Sequence, residues 1–326
     1  MTAAGPAAAR SAQEVVRVLS RHVLPARLAR LRAQLACRVV DTALVLENVA
    51  DAQNVHACLR TADALGLQHV HVVNRYVGTA SAGAAAVPPP PPPPPGSAST
   101  SVDRGAIKWL TVRHHTDTAA CLAALRADGF LIAASDLGAG AVDVAAAARW
   151  TTSRRALAGG AGGRLQRPRV AVFMGNEARG VSRLAREASD VRFFIPQAGF
   201  SQSLNVSVAT ALALSAFLHR TPDYASHALA AHRTRVSGAA EGAVASSAAT
   251  TATAAAAATA PAAEETLPVA AAPASIGAQG EEAEAGTACE LLGADEIDAI
   301  LARTLLLDVP AAAAVLDRAG VRPIDY

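Results

Sequence analysis

Three short runs hold most of the side chains capable of chemistry. Asn54 and Arg60 follow the apolar stretch TALVL; Gly175, Asn176 and Glu177 follow RVAVFM; Ser203, Asn205 and Ser207 follow VRFFI. Amide, hydroxyl and carboxylate groups together offer donors and acceptors to a polar substrate. Arg60 suits a phosphate or a developing negative charge, since a guanidinium does not give up its proton in proteins. Each residue also has an ordinary structural role. Ser203, Asn205 and Ser207 are all helix-capping types, Glu177 satisfies a helix dipole, and Arg60 is a surface charge. Capping, however, needs one such residue rather than three.

The elements that must position these groups are legible around Phe193 to Ala209, FFIPQAGFSQSLNVSVA. Ile195-Pro196 ends a strand, because proline cannot donate to a ladder and holds its predecessor extended. Val206 to Leu218 is apolar at almost every position, which predicts a helix buried on most of its surface. Upstream, Thr42 to Leu46, His69 to Val73, Phe130 to Ala134, Arg169 to Met174 and Val191 to Ile195 read as strands, with a short strand up to Val112. Helices are expected at 13–24 and 26–38, interrupted by Pro25, and at 52–65 and 118–127, with a short one starting at Gly180-Val181-Ser182. Strand, helix and strand within about 30 residues form a βαβ unit, so the sheet is parallel. All three polar runs then fall at the carboxyl edge of one sheet, where α/β proteins bind ligands.

Biased segments divide the chain of 326 residues. Residues 1–40 form a basic helical arm, and 41–236 the α/β domain. An insertion at 78–105 surrounds the prolines Pro88 to Pro95 and reads as a disordered, extended surface segment. The AGGAGG run within 151–168 lacks the spacing of a nucleotide fingerprint and reads as a loop. Residues 237–289 contain almost no large apolar side chain and form a disordered tether. Two short helices follow in 290–326 as an appendage.

The net charge of +2 hides an asymmetry. Residues 1–236 carry 26 basic and 14 acidic side chains, about +12, and the remainder is about −10. Within the first 40 residues Arg10, Arg17, Arg21, Arg27, Arg30, Arg32 and Arg38 face Glu14 alone, a pattern suited to a polyanion. Cys37, Cys58, Cys121 and Cys289 show no CxxC or Cys/His ligand spacing, so no metal is expected and the compartment is reducing. No membrane span is expected either, and an intracellular location follows. It is the cytoplasm or an organelle, given an Ala-rich start with one arginine and no acid.

In their order the three runs resemble the signatures of the SpoU branch of the SPOUT RNA methyltransferases. The matching stretches are NVHACLRTADALG (Asn54 to Gly66), VAVFMGNEARGVS (Val170 to Ser182) and IPQAGFSQSLNVSVATAL (Ile195 to Leu212). The resemblance covers about residues 14–236. The arginine-rich lead-in before LVLENV, the Lys108-Trp109 pair and the helical tail are most similar to the tRNA guanosine-18 2′-O-methyltransferases of that branch. His56 and the GAIKW stretch depart from the usual pattern.

The resemblance implies a parallel α/β sheet with helices on both faces and a C-terminal trefoil knot, a homodimer formed through the knot, and S-adenosylmethionine bound there. It places the cofactor against Ala134, Gly175, Ile195 and Leu204, largely through main chain. It puts Arg60 nearest the transferring methyl, assisted by an RNA phosphate, with Asn54, Glu177, Ser203 and Asn205 shaping the pocket. Arg21, Arg27, Arg30 and Arg32 of the arm would hold tRNA. Rival readings are ribosomal RNA 2′-O-methylation and a knotted RNA-binding protein without turnover.

Overall fold

Every residue of β1 (Val39–Glu47) and β2 (Leu67–Val73) is buried, as strands covered on both faces require. In the computed structural model, which describes residues 6–73, 106–153, 168–201, 203–220, 223–233 and 291–321, they are interior strands of a seven-stranded sheet. The other strands are β3 (Thr111–His115), β4 (Phe130–Ser135), β5 (Val142–Asp143), β6 (Arg169–Met174) and β7 (Val191–Phe194). Their order is β3-β2-β1-β6-β4-β7-β5, and every pairing is parallel. The ends of β1, β6, β4 and β7 therefore lie side by side on one edge.

Alternating side chains feed two cores. On one face Leu44, Leu46, Val170 and Val172 pack with Leu59 of α3 (Ala52–Ala64), Ala147 of α5 (Val144–Ser153), and Leu214 and Phe217 of α7 (Val206–Leu218). On the other, Ala43, Val45, Ala171 and Phe173 meet Leu122 and Leu125 of α4 (Thr118–Ala127) and Ala185 of α6 (Arg183–Ala188). Helix α8, residues 223–233, begins beside the first core, where the Tyr224 hydroxyl donates to the Leu65 carbonyl at 2.8 Å. A third core joins the two ends of the chain. Val15 and Leu19 of α1 (Pro6–Leu19) and Leu35 of α2 (Pro25–Leu35) pack with Leu301 and Leu305 of α9 (Ala294–Asp308) and Leu316 of α10 (Ala312–Arg318).

Several elements differ from the sequence reading. Pro25 is the first residue of α2 rather than a residue between two helices, a position where its missing N–H costs nothing. Lys108 and Trp109 sit in a 3₁₀ turn, Ala106–Trp109, and the strand starts at Thr111. Strand β5 and helix α5 were not foreseen: β5 is only two residues long, and VAAAARWTTS is alanine-dominated with few large apolar side chains. Its start is fixed by Asp143, whose carboxylate accepts from the Ala146 N–H at 2.9 Å. The insertion 78–105, the glycine-rich run 154–167 and the tether from 237 lie outside the described residues. No single described helix is long and apolar enough to cross a membrane.

Candidate functional site

At the carboxyl edge the loop after β6 folds back on itself. Asn176 and Gly180 exchange two main-chain hydrogen bonds, at 3.1 and 2.8 Å, and Gly180 takes a φ of +66° that favours glycine. Gly175 lies under this turn. A Cβ built there would fall inside the backbone of Gly180 and Val181, so no side chain is accommodated. The Asn176 amide locks the turn from within, its oxygen accepting from the N–H groups of Ala178 and Arg179 and its nitrogen donating to the Asn48 carbonyl.

Three sequence-distant loops join through side chains. Asn54, in the first turn of α3, donates from Nδ2 to Glu177 Oε1 at 2.8 Å, and Asn205 donates from Nδ2 to Asn54 Oδ1 at 3.1 Å. Asn205 is also the N-cap of α7. Its Oδ1 accepts from the Ser207 N–H at 2.8 Å and the Ser207 hydroxyl at 2.6 Å. The second Glu177 oxygen accepts from the Ala50 N–H at 3.3 Å. Partial burial pushes the Glu177 carboxyl upward, but bonds from Asn54 and main-chain N–H groups outweigh it and hold the group below its ordinary value. Glu177 is therefore ionised at neutral pH and acts as a fixed acceptor rather than a proton donor.

Beside this chain lies a cleft of about 400 Å³. Met174, Gly175, Ile195 and Leu204 line it, with Glu177 and Ser203 at its polar side. Its apolar walls, with the loop residues at 135–137 and 175–181 and with Gln197, suit a flat heterocycle with a polar tail. Of the residues expected to hold a cofactor, Ala134 is the exception. Its side chain is buried among Ile132 and Phe173 on the α4 face, and the next residue, Ser135, lines the cleft. Arg60 is also outside. It stands exposed on α3 and contributes nothing to the cleft wall.

Other contributors were not singled out from sequence. Glu47 ends β1 with a buried carboxylate that accepts from the Thr118 hydroxyl and from the Ser182 N–H, the latter at 2.7 Å, tying α4 and the loop before α6 to the strand end. An acid closing an otherwise apolar strand was the available signal. Arg179 and Arg186 line the cleft, and Asp136 pairs with Arg192 at 2.8 Å, bracing the loop after β4. Those arginines sat within ordinary surface charge.

Of the arm arginines, Arg27 pairs with Asp308 at 2.8 Å and Arg32 with Asp298 at 2.9 Å, both acids lying on α9. Lys108 reaches Asp308 at 3.2 Å and lies over the Trp109 ring. Arg21 and Arg30 make no ion pair among the described residues.

A model of the SpoU rRNA Methylase family matches residues 93–215. A tRNA (guanosine(18)-2′-O)-methyltransferase of Escherichia coli K12 is 33% identical over 193 residues, 58% of this chain and 68% of that protein. A 23S rRNA (guanosine-2′-O-)-methyltransferase RlmB of Pseudomonas aeruginosa is 34% identical over 184 residues, 56% of this chain and 61% of that one. Among solved structures, the Aquifex aeolicus TrmH/SpoU tRNA modifying enzyme is 23% identical with a TM-score of 0.48, covering 69% of this chain and 98% of its own.

Proposed function

The chain belongs to the SpoU RNA methylase family, and on that premise we propose that it is an S-adenosylmethionine-dependent 2′-O-methyltransferase acting on guanosine-18 of tRNA. The observation that carries this reading is the bonded chain Asn205–Asn54–Glu177, which joins the three signature loops beside a cleft that the second and third of them line. S-adenosylmethionine supplies an activated methyl on a sulfonium centre. Gly175, Ile195, Leu204 and the main chain after Ser135 would hold it, in a cleft of the right size and character. The last segment of the domain would be threaded as a trefoil knot.

Glu177, fixed as an anion by Asn54 and Ala50, orients the amides around it; Ser203 and the end of α7 present donors to a ribose. Arg60 begins about 9 Å farther along α3 than Asn54. A homodimer that covers the exposed α7 side chains Val208 and Leu212 would bring Arg60 of the partner subunit toward the cleft, since α3 and α7 pack side by side. There it would clamp an RNA phosphate and stabilise charge on the 2′-oxygen, with the phosphate assisting proton removal. Arg21 and Arg30 would contact the tRNA body.

The test is incubation of the purified protein with S-adenosylmethionine and either unmodified tRNA transcripts or 23S rRNA, followed by mapping of ribose methylation. Methylation at tRNA position 18 is expected. Methylation of the ribosomal substrate alone would move the assignment to the reading that the Pseudomonas relative suggests. Cofactor and RNA binding without transfer would leave a knotted RNA-binding protein. Arg60→Ala is expected to lower turnover by at least about 100-fold while leaving cofactor affinity nearly unchanged.

A further inference from the structure

We propose that His71, His115 and Cys121 form a binding site for a thiophilic divalent cation, Zn²⁺, between β2, β3 and α4. The three residues are dispersed in sequence, and the fold brings one ligand atom of each within 4.8 Å of the others. His71 Nδ1 and His115 Nε2 are 2.9 Å apart, with ring planes only 7° from parallel. Tetrahedral zinc, with bonds of about 2.0–2.1 Å to nitrogen and about 2.3 Å to sulfur, needs donor atoms roughly 3.3–3.7 Å apart. Parting the imidazoles by about half an ångström and swinging the thiol inward by up to about 1.3 Å meets that requirement. His71 and Cys121 are buried, whereas His115 is half-buried on the edge strand and leaves a path for entry.

Burial, then His115 and Arg113, lower His71 to about 3, and burial with Arg113 also lowers His115, so both imidazoles are neutral. The two facing ring nitrogens share one proton in their hydrogen bond, so one imidazole must shift that proton to its other ring nitrogen before both present lone pairs to the metal. A second observation points to a cation. Glu47 is 1% exposed and accepts hydrogen bonds from Thr118 and Ser182, yet it has no cationic partner among the described residues. A buried carboxylate is ordinarily paired. Thr118 lies one turn before Cys121 on α4, and the field of Glu47 reaches the Cys121 thiol, which burial and then that charge raise to about 12. Zinc binding would displace the thiol proton to solvent. The resulting Zn²⁺–thiolate unit carries +1, and Glu47 balances it.

The experiment titrates the full-length, metal-free protein with Zn²⁺ against a chromophoric chelator, with Mg²⁺ in parallel. One equivalent of zinc and no magnesium are expected, with the melting temperature rising on zinc addition. Cys121→Ala and His115→Ala should each weaken that equivalent by more than about 100-fold while S-adenosylmethionine binding persists. Loading the unmodified protein with Co²⁺ gives a readout that needs no variant: thiolate-to-metal charge-transfer absorption is expected. Its absence, or equal zinc uptake by the variants, overturns the site and leaves the imidazoles as a hydrogen-bonded pair.

Discussion

Glu177 accepts from Asn54 at 2.8 Å and from the Ala50 main chain, and those bonds favour the ionised form. Its carboxyl is held below the ordinary value, so the linkage is fully present above about pH 4.3, the ordinary glutamate value, and is lost as pH falls through the depressed folded value. Cofactor binding followed between about pH 3 and 7 should show no Glu177-dependent step near neutrality and a loss only in acid. Glu177→Gln should remove that acid limb and lower kcat/KM by about 10–100-fold, since an amide NH₂ can oppose the Asn54 donor. Gly175→Ala tests the turn itself. With no room for a methyl group beneath Gly180 and Val181, it should cost on the order of 2–4 kcal/mol in denaturant unfolding and weaken cofactor binding. Residue types in the three runs were readable because each breaks an apolar stretch with polar groups. Glu47 was passed over for a physical reason: an acid closing an apolar strand hints at a role, but its partners, Thr118 and Ser182, are far away in sequence, so what the carboxylate binds is not legible locally.

Helix α7 makes two demands on its N-cap residue. Asn205 caps it through Oδ1 and bonds Asn54 through Nδ2, so substitutions can separate the functions. Asn205→Ala should cost about 1 kcal/mol of stability through the lost cap, together with activity. Asn205→Asp retains a capping oxygen but sets a carboxylate against the Asn54 carbonyl; near-normal thermal unfolding with strongly reduced methyl transfer is expected. Strong patterns made elements such as β6, α4 and α7 legible to the residue, because apolar runs there are bounded by proline, glycine or capping side chains. Alanine hid α5, and the burial of polar His69 and His71 within β2 concealed a contact with β3 that only register reveals. The position of Arg60 outside its own cleft likewise depends on helix rotation, which spacing left open.

Charge asymmetry becomes structural in the whole molecule. Acids of α9 sit on the arginine helices, and such exposed pairs contribute at most about 1 kcal/mol, so an RNA phosphate can compete with them. Replacing both Arg21 and Arg30 by alanine should weaken RNA binding across sequences and lower the slope of log K against log salt by about 2. A two-subunit arrangement predicts that Val208→Asp with Leu212→Asp yields monomers in sedimentation and loses transfer. Docking of the tail on the arm was beyond sequence reading, because the pairing of Gln13 with Asp295 crosses 282 positions. That distance has a consequence during translation. Helices α1 and α2 leave the ribosome well before α9, which covers their greasy side; at about 5–20 residues per second the gap is roughly 15–60 s. Through that interval the nascent arm displays an unshielded aliphatic stripe next to its arginines, so newly made chains should be chaperone clients until α9 and α10 arrive.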